Sequence, residues 1–425
     1  MSARLERSVG LWGAVWMGLG SIVGTGVFVS LGVAAGVAGP AIIIAVALAA
    51  LVALANGLSS AALAAAHPVS GGTYEYGHRL VHPVAGFAAG CMFLAAKGAS
   101  AATAALGFAG YLLHALALPA RTGARIGVAL ALVVVLTALV AGGVRRSNRA
   151  NAAIVSLTLL ALAAFVGVGL ANIDPTRLAE HLGGATDVSL AALLHATALM
   201  FVAYTGYGRI ATLGEEVVEP ARTIPRAIVV TLASSAALYL AVAFTAVAAV
   251  GANAFAASTH AIAAPLEAVA RTFAQPWVAP IVALGAVSAM AGVLLNLLLG
   301  LSRVLLAMAR RGEAPGGLAR VETGGNPRRA VLAVGGVIAA LVLLGDVKTT
   351  WSFSAFAVLI YYGITHIAAL RLPAAQRRWP RGVAVVGLVA CFGLAFFVEP
   401  AIWLAGGGVL AVGFALRALA GKRSA

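Results

Sequence analysis

Apolar runs long enough to cross a bilayer fill most of this chain. They lie near residues 10–36, 40–66, 83–116, 122–143, 151–172, 190–213, 225–251, 277–309, 328–345, 350–370, 381–398 and 401–419. A helix needs about 20 apolar residues to span hydrocarbon. The expectation is therefore an all-α membrane protein with twelve transmembrane helices. No intervening segment is long or polar enough for a separate soluble domain, so residues 1–425 read as a single transmembrane domain. Composition agrees: 62% of residues are hydrophobic, 10% are charged, and the mean hydropathy is +1.02. A water-soluble surface on a chain this size needs far more charge.

The net charge of +15 would suggest nucleic acid in a soluble protein. Here the basic residues cluster between apolar runs, so the partner expected is the lipid bilayer, with no nucleic acid. Starting with the N-terminus inside, 21 of the 28 Lys and Arg residues fall at one set of span ends. Five fall at the other: Arg121, Arg125, Arg177, Arg271 and Lys348. Lys97 and Arg209 lie within spans. That asymmetry puts both termini in the cytoplasm of a cell (inner) membrane protein. The apolar stretch after Ser8 outlasts a signal-peptide core and ends in no small-residue cleavage site, so no cleavable signal is expected. Cys91 and Cys391 each sit inside an apolar run, which suits buried hydrophobes rather than a disulfide framework or metal site. No cofactor is expected.

Two spans carry glycine clusters where a helix should be strongest. In the first, Gly18, Gly20, Gly24 and Gly26 fall within nine residues. In the sixth, Gly206 and Gly208 stand among Tyr204, Thr205 and Tyr207. Each glycine weakens a helix by about 1 kcal/mol. Unwound backbone survives at membrane depth only where it is buried in protein or lines a polar cavity. A half-helix starting near Gly24–Gly26 would aim positive partial charge at an anion such as a carboxylate. Spans 1–5 start inside and spans 6–10 start outside, so the two halves are inverted. Paired interruptions at matching places in inverted halves point to a transporter's central site. The alternative is that these glycines only allow close helix packing.

At these residues the chain resembles the amino acid–polyamine–organocation (APC) superfamily of permeases. Ser21-Ile22-Val23-Gly24-Thr25-Gly26-Val27-Phe28 is similar to its first-span signature. Pro68-Val69-Ser70-Gly71-Gly72-Thr73-Tyr74 resembles its Pro-x-Ser-Gly-Gly-x-Tyr loop. The stretch from Phe201 to Arg226 looks like span 6 and its cytoplasmic extension. Ser302-Arg303 and Met308 to Pro315 resemble the end of span 8. The resemblance implies a LeuT-type fold: five plus five inverted spans over residues 10–172 and 190–370, with helices 1 and 6 broken, plus two accessory helices over 381–419. It implies that amides of Ser21 to Gly26, chiefly Val23, Gly24, Thr25 and Gly26, bind the substrate carboxylate. Carbonyls near Ile22, Phe201, Ala203 and Tyr204, beside Gly206, would bind the ammonium. The side-chain pocket would come from spans 3, 6, 8 and 10. Main-chain dipoles suit a zwitterion because no full protein charge need be buried.

The chain departs from relatives in two places. Span 5 lacks the lysine that some proton-coupled members carry. Gly208 stands where cation-selective members often have an acid, which argues against dibasic substrates.

Ionisable residues inside spans are functional candidates. Lys97 lies mid-span beside Gly98, Ser100 and Thr103. It either exchanges a proton during transport, pairs structurally with carbonyls, or snorkels. Arg209, just past the second glycine cluster, is expected to gate with Glu215 or Glu216 rather than touch substrate. Glu219, Arg222 and Arg226 form the adjoining charged end. His195 and Ser288 are weaker candidates for proton and sodium coupling. No nucleotide loop, zincin helix or nucleophile elbow is present in the sequence. The chain therefore reads as no enzyme but a secondary active permease for neutral amino acids, coupled to protons as a symporter. An uncoupled exchanger of amino acids or amines is the alternative, and a channel would need a continuous polar pore.

Overall fold

The computed structural model describes residues 9–67, 71–143, 148–184, 187–211, 217–322 and 326–421. Among these the chain is helical, and the β pairing recorded is an isolated bridge between Val9 and Val217. Among the described residues, nine helical runs are long and apolar enough to cross a membrane, and two shorter apolar helices, Leu11–Ile22 and Arg381–Ala395, accompany them.

The first expected span is two pieces, α1 (Leu11–Ile22) and α2 (Leu31–Ala38), joined through a wide π-type turn, Gly26–Ser30. Gly39, with φ +52, then folds the chain back into α3 (Ile42–Ala66). Gly71 (φ +125) and Gly72 (φ +56) turn it again before the short α4 (Thr73–Tyr76). Those two left-handed positions explain the glycine pair in the loop motif. Pro68, Val69 and Ser70 of that motif lie outside the described residues.

Next come α5 (Pro83–Ala115), α6 (Thr122–Ala141), α7 (Asn148–Ala171) and the short α8 (Pro175–Leu182). Pro83 opens α5 while the His82 ring accepts the Val84 amide at 3.2 Å, a combined proline start and side-chain cap. The sixth expected span is α9 (Leu190–Tyr204), a tight 3₁₀ turn at Thr205–Tyr207, and α10 (Gly208–Ala211). Ser189 caps α9 through the Ala192 amide. Then follow α11 (Pro220–Val250), α12 (Ala252–Ile262), α13 (Pro265–Ala270) and α14 (Val278–Arg310). The last helices are α15 (Arg328–Val342), α16 (Val347–Leu370), α17 (Arg381–Ala395) and α18 (Pro400–Gly421). Asp346 starts α16 by accepting the Lys348 and Thr349 amides.

Runs three and eight, the longest expected, become the 33-residue helices α5 and α14. The ninth run yields only 15 helical residues in α15.

Helices approach closely through small residues. Gly107 lies against Met290 and Val29, Gly285 against Ala161, and Gly335 against Thr137. Lipid offers no hydrophobic drive for helices to meet, so such close van der Waals contact is what holds them. Hydroxyl pairs add polar joints between α5 and α16: Ser100 to Ser354 at 2.7 Å and Thr103 to Thr350 at 2.8 Å.

Candidate functional site

The α1–α2 interruption is sharp. The Val23 amide closes α1 on the Leu19 carbonyl at 2.8 Å, and Val23 itself is extended (φ −78, ψ 103). The Gly24 carbonyl then accepts the Val27 and Phe28 amides at 3.1 and 3.2 Å. A second half-helix thus begins at Gly24. Amides at such a start have no carbonyl behind them to accept their protons; here they belong to Gly24, Thr25 and Gly26.

The two interruptions meet. A Cβ added to Gly206 would lie 2.2 Å from the Ser21 carbonyl oxygen and 2.6 Å from the Ile22 amide nitrogen. One added to Gly26 would lie 2.5 Å from the Ala203 Cβ and 2.9 Å from its Cα. Only glycine allows main chain to lie on main chain this closely. Gly24 faces a side chain instead, Val293 of α14.

Tyr239 of α11 marks where the carbonyls sit. Its hydroxyl lies 2.8 Å from the Ile22 carbonyl oxygen and 3.3 Å from that of Ala203. A phenol has one proton, so it serves one of these oxygens at a time. Its ring packs tilted against Tyr204, centroids 5.1 Å apart, and the Tyr204 hydroxyl donates to the Val46 carbonyl at 3.3 Å. Nearby carbonyls are also engaged: Tyr111 donates to Phe28 at 2.7 Å, and the Ser21 hydroxyl to Met17 at 2.9 Å. The Thr25 hydroxyl is buried at the break and has no hydrogen-bond partner among the described residues.

Lys97 reaches this zone from α5. Its ammonium donates to the Thr205 hydroxyl at 2.8 Å, and that hydroxyl donates to the Val202 carbonyl at 2.7 Å. The Thr205 carbonyl accepts from Tyr362 of α16 at 3.3 Å. Phe201 and Tyr207 both pack on the Tyr362 ring, at 5.8 and 5.9 Å. Ile22, Val23, Thr25, Phe201, Ala203, Tyr204 and Tyr207 are all buried, so the meeting point is closed to solvent.

The remaining sequence candidates lie elsewhere. Arg209 is exposed, and its expected partners Glu215 and Glu216 lie outside the described residues. His195 lies 3.5 Å from Glu399, which pairs with Lys348 at 3.1 Å. The Ser288 hydroxyl is spent on its own helix, at the Gly285 carbonyl. Tyr239, Thr205 and Tyr362 escaped sequence reasoning. Tyr239 is an isolated tyrosine in an apolar run, and nothing in its neighbours' identity signals its role.

At the arginine-rich end, acids are paired by side chains. Glu313 accepts from Tyr74 at 2.6 Å and lies 3.0 Å from His78 and 3.2 Å from Arg417. Glu75 pairs with Arg79 and Arg311. Burial, reinforced by Glu313, pushes the Tyr74 phenol well up, so it stays a donor.

The class this geometry defines is a polytopic helical membrane protein organised around two interrupted helices that meet inside it. The amino acid permease profile matches residues 13–420, and the chain belongs to that family, within the APC superfamily. It is similar to an uncharacterized transporter of Mycobacterium tuberculosis, 42% identical over 97% of this chain and 90% of the relative. A branched-chain amino acid permease of Bacillus subtilis is 28% identical over 75% of this chain and 70% of its own length. A human cationic amino acid transporter 4 is 31% identical over 56% of this chain and 38% of its own length. The chain is thus a member of a transporter family, with a multi-pass membrane setting and amino acid transport as the shared activity.

Proposed function

We propose that this protein is a secondary active permease for neutral, zwitterionic amino acids, driven by protons through alternating access. The observation that carries the reading is the contact of the two interruptions, with one hydroxyl within reach of both the Ile22 and Ala203 carbonyls. An ammonium has three donors and fits where a phenol now touches both oxygens. The amides of Gly24, Thr25 and Gly26 begin the adjoining half-helix and suit the carboxylate. Both charges of an amino acid then meet dipoles, and a net-neutral solute needs no counter-ion. The Bacillus branched-chain permease supports apolar side chains as cargo, and the aromatic wall of Phe201, Tyr207 and Tyr362 fits them.

Under this reading the twelve expected crossings form a LeuT-type five-plus-five inverted repeat over 10–172 and 190–370, with 381–419 accessory. Both termini face the cytoplasm. Lys97 is the proton-coupling residue, because it links α5 to the turn of span 6 through Thr205. Arg209, Glu215 and Glu216 form the inner gate.

The test is uptake into proteoliposomes under an inward proton gradient. Saturable, L-selective accumulation above equilibrium is expected. Exchange without accumulation at clamped pH would replace this reading with the exchanger. Lys97→Met and Lys97→Gln are expected to retain counterflow and lose pH-driven accumulation. Undiminished accumulation in both would remove the proton role.

A further inference from the structure

At the arginine-rich end, away from the interruptions, α3, α16 and α17 enclose a pocket. Its polar wall is Arg377, Arg378, Arg381 and Ser59, with Trp379 at the rim. Its floor is apolar, from the ends of the three helices. No carboxylate is among the lining residues.

Three arginines line one hollow with no carboxylate among the lining residues, so positive charge gathers there with no acid in the lining to answer it. The protein positions two of them without neutralising them. Arg377 Nε donates to the Leu372 carbonyl at 2.8 Å, and Arg378 donates to the Ala221 carbonyl of α11. Each spends one N–H on main chain and keeps the others. Among the described residues Arg381 has no hydrogen bond or ion pair at all, and it stands at the first turn of α17. Arginine forks match the oxygens of a phosphate.

The surroundings say where that phosphate comes from. Trp379 is 37% exposed, and an exposed tryptophan beside arginines suits the headgroup layer. From the pocket an apolar strip continues up α17, with Val385, Val386 and Val389 between 46% and 67% exposed. A free anion has no use for such a strip, whereas an acyl chain lies along it. Basic hollows between helices on the cytoplasmic side are where anionic lipid heads settle. The geometry points to a binding site here for the phosphate headgroup of an anionic phospholipid from the inner leaflet. The headgroup ties α16 and α17 to α3 and, through Arg378, to the start of α11. Only the choice of leaflet rests on the proposed orientation; the site itself does not depend on the transport reading.

The test uses the full chain, purified and delipidated in detergent. Thermal midpoints are measured with phosphatidylglycerol, phosphatidylcholine of the same chains, or inorganic phosphate. At about 100 times its Kd, a ligand of the native state alone raises the midpoint by several degrees. Phosphatidylglycerol is expected to give that shift, and phosphatidylcholine and phosphate little. Arg381→Gln, which removes no internal bond, is expected to lose at least half the shift while keeping the lipid-free midpoint. Arg377→Gln combined with Arg381→Gln should lose most of it, and Arg381→Lys should retain more than Arg381→Gln. An equal shift from phosphatidylcholine, or an unchanged shift in the glutamine variants, overturns the site. A full shift from inorganic phosphate alone overturns the lipid as its source. The readout needs no transport, so its failure would leave the permease reading standing, and the reverse also holds.

Discussion

The meeting point of the interrupted helices and the acid cluster near α4 handle charge in opposite ways. At the first, glycine exposes main chain, and the groups facing inward are carbonyls, amides and the Tyr239 hydroxyl. At the second, the Glu75 carboxyl is paired with Arg79 and Arg311, and the Glu313 carboxyl with Arg417, His78 and the Tyr74 hydroxyl, from several helices. The first region is built of main-chain dipoles and one hydroxyl, the groups to which the proposed reading assigns a charged visitor. The second is complete as it stands and works as a clasp. It joins the loop after α3, the end of α14 and, through Arg417, the last helix α18.

The contrast breaks most visibly under an added methyl group. Gly206→Ala pushes a carbon into the Ser21–Ile22 peptide. Backbone cannot yield cheaply, so a cost of about 3 kcal/mol and near-complete loss of uptake are expected. Gly24→Ala meets only the Val293 side chain, which can yield, and a cost of roughly 1 kcal/mol with measurable residual uptake is expected. Thermal unfolding with initial uptake rates compares the pair. Equal tolerance at both sites would mean the interruptions do not need their contact.

Next in size is Glu313→Gln. It leaves Arg417 and His78 without their acid, and a loss of about 2–4 kcal/mol is expected because the carboxylate is buried. The Km for amino acid should stay within about twofold, since the clasp is not part of the receptive region. A large Km change would erase the distinction between the regions.

Tyr239→Phe sharpens it from the other side. Removing the hydroxyl costs about 1 kcal/mol of stability. It also frees the Ile22 and Ala203 carbonyls from a competing donor. Apparent affinity for amino acids should then rise by about fivefold, the equivalent of one hydrogen bond. Weaker binding would make Tyr239 a direct ligand rather than a competitor.

The smallest effect belongs to Glu399 near the opposite end. The His195 ring, aided by Lys348, holds its carboxyl down at about 2. A depressed acid adds stability above its unfolded value of about 4.3, and that contribution fades as pH falls toward the folded value. Glu399→Gln should therefore melt slightly earlier than wild type near neutral pH, with the difference gone by about pH 2. The pair is partly exposed, so solvent and salt keep the effect small.

How much was legible follows from range. Helices and interruptions announce themselves locally: apolar length gives the first, and clustered Gly24, Gly26 and Gly206 give the second. The class and the family were therefore readable, as were the long α5 and α14. Contacts between distant residues were not. Lys97 and Thr205 are 108 positions apart, and Tyr239 and Ile22 are 217 apart. No pattern near Lys97 says which hydroxyl it will find, and a tyrosine in an apolar run looks like packing until its neighbours are known. The ninth run, 328–345, formed only the 15-residue α15, because apolar length bounds a helix from above only.

The Tyr239 bridge bears on the return journey of an empty carrier. Reorienting with two naked oxygens in a dry interior would be costly, and a protein without a substitute for its cargo would be confined to one-for-one swapping. Under the proposed permease reading, the Tyr239 hydroxyl would be a placeholder that lets the vacated seat close and the carrier go back unladen. That is the trait a cell needs in order to gather a nutrient rather than trade it.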